Sequence, residues 1–267
     1  MGWTIKDVLS DEKEKKTIKK SVSDSFISDS KVKDRGDSQH KLSLKTGENL
    51  STGIDLLDKN LDGGFPKGSF VCIYGDPAAS PEAFLYQFST ERETYYINTS
   101  RPVEVIRKDF KELHLEDDFL TFIDVYSLNG KFGVEGDDEK IINYATEKVE
   151  SISAEEINII VDSLTFFMDL DVADRLKQNF IDILYRVSKE TNGLVFAYII
   201  KDSLDEKSLK KIFDLSDVIM EILIEVTGSR YVKKFGIPKI RGRTPLNDLF
   251  KFEIGEGVQL DTSRDIA

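Results

Sequence analysis

The chain has 267 residues, 40% of them hydrophobic and 17 of them Phe, enough for one large α/β domain or two small ones. Lys and Arg number 37 against 49 Asp and Glu. The net charge of −12 argues against a protein that grips duplex DNA through a broad basic face. With Cys72 the single cysteine and His40 and His114 the only histidines, an intramolecular disulfide and a Cys/His zinc site are both excluded.

At the start of the chain, the polar run after Trp3 lacks the apolar core of a signal peptide. Lys6 stands where N-myristoylation wants Ser or Thr. No apolar run approaches the roughly 20 residues that span a bilayer. The expectation is a cytoplasmic protein. Residues 1–47 hold 11 Lys/Arg and 8 Asp/Glu, which leaves 26 and 41 for the rest, so a weakly basic segment precedes an acidic one. Trp3 and Phe26 are its two aromatics. Such a composition cannot offset chain entropy by burial, and the segment reads as a disordered tail. Trp3, Ile5, Val8 and Leu9 could gather loosely on one side of a short helix; a frayed terminus is the favoured reading and a docking peptide the alternative.

From residue 48 the texture becomes that of one domain, 48–267. Short β-branched or aromatic runs alternate with helical patterns, the mark of βαβ units and a mostly parallel sheet flanked by helices. Strands are expected at Phe70–Tyr74, Thr94–Ile97, Leu120–Tyr126, Ile157–Val161 and Leu194–Ile200. Helices are expected at Pro81–Ser89, Val103–Leu113, Glu139–Val149 and Val172–Lys189. Val218–Val226 and Tyr231–Phe235, joined by Thr227-Gly228-Ser229, read as a hairpin on the sheet edge. Leu249–Ile254 and Val258–Leu260 close a C-terminal antiparallel extension.

The strand Phe70–Tyr74 runs into Gly75-Asp76-Pro77-Ala78-Ala79-Ser80-Pro81-Glu82 and then an amphipathic helix. Strand, eight-residue turn and helix is the setting of the phosphate loop G-x-x-x-x-G-K-[ST]. Gly75 fits its first glycine. Ser80 stands at the second glycine, Pro81 at the lysine and Glu82 at the metal-binding hydroxyl. Alone, the octapeptide carries no such assignment.

Its neighbours do. Upstream, Ser51-Thr52-Gly53-Ile54-Asp55-Leu56-Leu57-Asp58 and Leu61-Asp62-Gly63-Gly64-Phe65-Pro66-Lys67-Gly68-Ser69 resemble the lead-in of the KaiC-like branch of the RecA superfamily. Downstream, Asn158-Ile159-Ile160-Val161-Asp162-Ser163 resembles that family's Walker B strand. Lys239-Ile240-Arg241-Gly242, followed by Phe252-Glu253-Ile254 and Gly257-Val258, resembles its closing segment. The markers occur in the family's order from Asn49 to Leu260. The resemblance implies a RecA-like P-loop NTPase core, archaeal relatives, ATP bound between subunits, and ring assemblies. It also implies a catalytic glutamate in the turn after the second strand, where Thr99 and Ser100 stand here. Lys239 and Arg241 match family residues that reach a neighbour's nucleotide.

The substitutions have a physical reading. A phosphate loop offers free N–H groups, a helix dipole and a lysine charge. Here Ser80 is a favoured N-cap, Pro81 a favoured first helical residue without an N–H, and Glu82 a carboxylate at the positive helix end. Asp76 adds a second carboxylate, and both repel a triphosphate. The site positions Gly75, Asp76, Pro77, Ala78, Ala79, Ser80, Pro81, Glu82, Asp162 and Ser163 therefore read as a decayed nucleotide site. No cofactor is expected, with ATP and Mg confined to the alternative.

Other groups receive bland readings. Asp169, Asp171 and Asp174 suit a helix start better than a calcium loop. Cys72 suits a strand core, and His114 a surface after a helix. Of Tyr95 and Tyr96, which alternate across a strand, one belongs to the core and one to the cleft. Lys233, Lys234, Lys239, Arg241 and Arg243 form a basic stripe that suits an acidic face of a neighbouring subunit better than single-stranded nucleic acid. In such a contact Lys239 and Arg241 would meet Asp76 and Glu82 of the next chain.

The leading function is a non-catalytic, regulatory or scaffold member of the KaiC-like family that works through protein contacts with itself or an intact paralogue. The alternatives are an ATP-binding KaiC-like ATPase, alone or completed in a mixed ring, and a recombination accessory protein. Removing residues 1–47 is expected to shift the melting temperature by less than about 5 °C, the scale of one or two kcal/mol for a domain of this size; differential scanning calorimetry of the two chains measures it.

Overall fold

The computed structural model describes residues 48–132 and 137–261. They belong to the second of two units, Gly47–Ala267. The expectations for residues 1–47, including Trp3, Ile5, Val8, Leu9 and Phe26, lie outside the described residues.

The unit opens with β1 (Asn49–Leu50), α1 (Asp55–Asn60) and β2 (Phe65–Pro66), a small antiparallel ladder ahead of the main sheet. Here the lead-in motif has a structural explanation. The Asp58 carboxylate accepts from the Ser51 hydroxyl (2.7 Å) and the Thr52 N–H (2.8 Å), and the Ser51 hydroxyl accepts from the Gly53 N–H (3.1 Å). Gly64, at φ 113°, passes so close to β1 that a Cβ would lie 2.0 Å from the Leu50 carbonyl oxygen.

The main sheet has nine strands in the order β11-β10-β9-β8-β3-β7-β6-β4-β5. Its parallel part comprises β3 (Ser69–Gly75), β4 (Thr94–Asn98), β5 (Leu120–Asp124), β6 (Asn158–Asp162), β7 (Leu194–Ile200) and the start of β8 (Val218–Thr227). The antiparallel part adds β9 (Arg230–Ile240), β10 (Leu246–Gly255) and β11 (Gly257–Asp261). Phe70 to Tyr74 are all buried, the continuous apolar run of a strand covered on both faces.

Helices α2 (Glu82–Phe88) and α3 (Val103–Glu112) contribute to one layer, where Phe88 stacks on Phe196 at 4.7 Å and Tyr86 meets Phe110 at 4.8 Å. Strand alternation puts Tyr74 on the other face, where it meets Phe213 of α8 (Glu206–Leu215) at 5.5 Å. Helix α7 (Asp174–Thr191) buries Phe180, Ile181, Ile183, Leu184 and Val187, a stripe at helical spacing. The remaining helices are α4 (Val125–Phe132), α5 (Asp138–Glu150) and α6 (Leu164–Asp169).

The mostly parallel sheet, the flanking helices and the antiparallel extension are as expected. Four short helices are not. Helices α1 and α6 have six residues each, and α8 lies in a polar stretch whose periodicity is short. Helix α4 replaces the end of an expected strand: β5 stops at Asp124, whose carboxylate accepts from the Ser127 N–H (3.1 Å) and turns the chain.

Gly64→Ala is expected to cost about 3 kcal/mol, because overlap with Leu50 adds to backbone strain. Gly228→Ala, in an open hairpin turn at φ 62°, should cost about 1 kcal/mol. Urea unfolding of the two variants distinguishes overlap from strain.

Candidate functional site

The C-terminal ends of β3, β7, β6 and β4 lie side by side at one end of the sheet, where an open α/β sheet places its ligand cleft. The turn after β3 contains a short 3-10 segment, Pro77–Ala79, capped by the Asp76 carboxylate, which accepts from the Ala78 N–H at 2.9 Å. Its other N–H groups are also spent. Asp76 donates to the Ile222 carbonyl (2.9 Å), Ala79 to the Asp76 carbonyl (2.9 Å), and Ser80 to the Pro77 carbonyl (3.2 Å). Pro77 and Pro81 have no N–H to offer.

Ser80 corrects an expectation. It does not cap α2: it adopts the left-handed conformation (φ 60°, ψ 58°), and its hydroxyl contacts the Lys233 ammonium at 3.1 Å. Helix α2 starts at Glu82 after Pro81 without a side-chain cap. Gly75 also gains a local explanation, since a Cβ there would lie 2.8 Å from the Pro81 ring. The ring packs where a side chain would stand.

Across the cleft, Asp162 is 3% exposed and accepts from the Tyr96 hydroxyl at 2.8 Å. Burial pushes its carboxyl above the usual range, while the Tyr96 hydrogen bond and the Arg101 charge pull it back and Glu82 pushes it up again. Tyr96 itself is raised well above the ordinary phenol range by burial, with Asp162 adding to the effect. Tyr96 therefore serves both core and cleft, and Tyr95 is the more exposed of the two.

Thr99 holds the strand ends together. Its hydroxyl donates to the Asp162 carbonyl (2.6 Å) and accepts from the Ser163 N–H (2.8 Å). A side chain at the family's acidic position is thus spent on backbone. Asn98 lies in register between Asp124 and Asp162. Its amide donates to Asp124 (2.9 Å) and to the Arg101 carbonyl (3.0 Å), which shapes the next turn.

Residue spacing missed Arg101. Its guanidinium pairs with Asp109 at 2.9 Å and lies 6.0 Å from the Tyr86 ring centre. The available signal was its place in the turn after β4, just before Pro102 opens α3. Tyr86 and Tyr198 were missed too, because a tyrosine on an apolar stripe looks like core. Burial raises both phenols, with carboxylates of the cleft adding to the shift.

The structure brings Gly75–Glu82, Asp162 and Ser163 to one end of the sheet. Lys239 and Arg241 lie at the other, since Ile240 pairs with Val218 at the start of β8. They are engaged within their own chain: Lys239 donates to the Phe213 carbonyl (2.5 Å), and Arg241 donates to the Asp214 carbonyl (2.6 Å) and pairs with Asp217 (3.1 Å). Both cations thus have acceptors within their own chain. Of the rest of the basic stripe, Lys234 pairs with Glu225 (2.7 Å) and Arg243 donates to Asn49 (2.6 Å). Cys72 is buried in β3, where burial raises its thiol to about 12, and His114 is exposed after α3.

Residues 49–267 match the model of a family of unknown function (DUF7125). The archaeal flagellar ATP-binding protein FlaH of Sulfolobus acidocaldarius is 25% identical over 219 residues, 77% of this chain and 92% of that protein. The solved structure of the flagellar accessory protein FlaH from Methanocaldococcus jannaschii has a TM-score of 0.65 at 17% identity, covering 81% of this chain and 98% of that one. The KaiC-like protein PH0186 from Pyrococcus horikoshii has a TM-score of 0.62 at 14% identity, covering 80% and 98%. The fold is that of the KaiC-like, RecA-type proteins. Among the described residues no helix is long and apolar enough to cross a membrane.

Tyr96→Phe is expected to cost about 1–3 kcal/mol at pH 7.5 by leaving a buried carboxylate without its donor. Asp162 then binds its proton more tightly in the folded than in the unfolded chain. Lowering the pH through this raised pKa should therefore shrink the loss, which urea unfolding between pH 4 and 8 measures.

Proposed function

The chain belongs to that family, DUF7125, and for it we propose a pseudo-ATPase role: a cytoplasmic KaiC-like protein that regulates or scaffolds through protein contacts without hydrolysing ATP. The observation that carries this reading is the hydrogen-bond account of the loop. The N–H groups of Asp76, Ala78, Ala79 and Ser80 already have acceptors within the chain. A phosphate would have to displace them, and the Asp76 carboxylate already occupies the Ala78 N–H as an anion.

Mg-ATP does not fit the residues present. Pro81 offers neither charge nor N–H where a lysine is needed, and Glu82 sets a negative charge at the helix start in place of a metal-binding hydroxyl. Thr99 is committed to the backbone, so no general base stands at its position.

Contact with a second copy or an intact KaiC-like paralogue is the proposed mode of action. In support, Val226 and Tyr231 form a cross-strand pair near the tip of the β8–β9 hairpin and are 70% and 78% exposed. The acidic balance disfavours nucleic acid as the partner. A second reading, nucleotide binding in an unusual mode or completed by a neighbour, draws on the word ATP-binding in the Sulfolobus relative's name and on the retained Asp162.

Titration calorimetry of the full chain with Mg-ATP at neutral pH is expected to show no micromolar binding, and a clear micromolar isotherm would favour the second reading. The triple variant Ser80→Gly, Pro81→Lys, Glu82→Thr should regain some binding with little turnover.

A further inference from the structure

The β8–β9 hairpin runs on past the strands that flank it. The ladder between β3 and β8 ends at the Gly75–Ile222 pair, and the ladder between β10 and β9 ends at Lys234. Residues 224–233 therefore pair only with each other, as a two-stranded arm. Such a ribbon is marginal in water unless it packs against something. Near its tip Val226 and Tyr231 are 70% and 78% exposed. The arm is also basic: residues 223–234 hold Arg230, Lys233 and Lys234 against Glu225, although residues 48–267 hold 26 Lys/Arg against 41 Asp/Glu. Glu225 is taken by Lys234. Among the described residues Arg230 has no partner, and Lys233 meets the neutral Ser80 hydroxyl and no carboxylate.

A complementary surface lies at the opposite flank. β5 is the last strand of the sheet, with β3, β7, β6 and β4 between it and β8. Phe119, just before β5, is 50% exposed. Its carbonyl accepts from the Thr94 N–H (2.9 Å), and Thr94 pairs with Leu120, so Glu93 lies next to Phe119 in register. Glu116 and Asp118 stand on its chain side. Arg107 takes Asp117, but Glu93, Glu116 and Asp118 have no cation partner among the described residues.

We propose that the arm of one copy docks on the β5 flank of a second copy, head to tail. Val226 and Tyr231 meet Phe119, and Arg230 meets Glu93 and Asp118. The proposal rests on the protein-contact reading above and deepens it by naming the partner as this chain itself. Charge selects the arrangement. An arm against an arm would oppose like charges, whereas an arm against the β5 flank pairs opposite ones. Because the two surfaces lie on opposite flanks, the contact is heterologous and repeats from copy to copy. It needs no nucleotide, since it draws on side chains without partners in their own chain.

The test is sedimentation velocity of the full chain without nucleotide, at about 100 μM protein in about 0.05 M and 0.5 M salt. The wild type should form dimers and longer species, fewer at high salt because exposed charges are screened. Tyr231→Ser and Phe119→Ser should each weaken association at least about tenfold, and Arg230→Glu should do so at low salt. An equimolar mixture of Tyr231→Ser and Phe119→Ser should recover dimers and nothing longer, since each keeps the half that the other lacks. All three positions are exposed, so melting midpoints should match the wild type. A monomeric wild type, unchanged association in Phe119→Ser, or a mixture without dimers would overturn the proposal. A wild type that is monomeric alone yet binds an intact KaiC-like paralogue overturns the second copy as occupant and leaves the protein-contact reading standing. The Mg-ATP titration is a separate readout: binding there removes the pseudo-ATPase reading, while sedimentation reports on the contact itself.

Discussion

Asp217 is the residue on which the two halves of the sheet depend. It stands just before β8, 7% exposed, and its carboxylate accepts from the Phe70 N–H of β3 (2.9 Å). Lys189 from α7 pairs with the same oxygen, and Arg241 from the end of β9 pairs with the other. Its backbone exchanges bonds with Phe70 and with Arg241. One buried carboxylate thus joins the first parallel strand, a covering helix and the antiparallel extension. Such a group is costly to bury alone and stabilising only when so fully partnered. Its position also decides the fate of Arg241 and Lys239. Together with the last carbonyls of α8, it satisfies cations that the family pattern would direct to a neighbouring subunit.

The parallel core was legible because β3 and β7 are apolar runs of seven residues, β4, β5 and β6 carry shorter β-branched or aromatic runs, and each long helix carries a stripe of helical period. β7 begins and ends where the pattern does, and α7 is shifted by only two residues at each end. What escaped were elements below the length at which periodicity speaks. Ser80 is the instructive miss at the site. Its residue type and its place before Pro81 both favour an N-cap, but Asp76 had already capped the preceding 3-10 segment. The chain then needed a left-handed residue to redirect it into α2, and the freed hydroxyl met Lys233 from a strand more than 150 positions away. No local rule contains that contact.

Arg101 was illegible for a related reason. Its partners are Asp109 on α3 and the Tyr86 ring on α2, which only the packing of those helices on the sheet brings together. The register itself was readable in principle. Asn98 pairs with both Asp124 and Asp162, so whatever follows β4 must turn across the open end of β6. A charged residue three positions on has few places to go except the cleft.

The two ends of the sheet show the same economy. At one end the closing-segment cations are absorbed by helix carbonyls and Asp217; at the other, loop N–H groups are absorbed by Asp76 and neighbouring carbonyls. Breaking an internal hydrogen bond to make an external one gains little, so groups satisfied in this way contribute little to contacts outside the chain. The apolar pair Val226 and Tyr231, 70% and 78% exposed near the hairpin tip, is of the opposite kind: it lies on the strands whose other ends carry Lys239 and Arg241, and the fold leaves it uncovered.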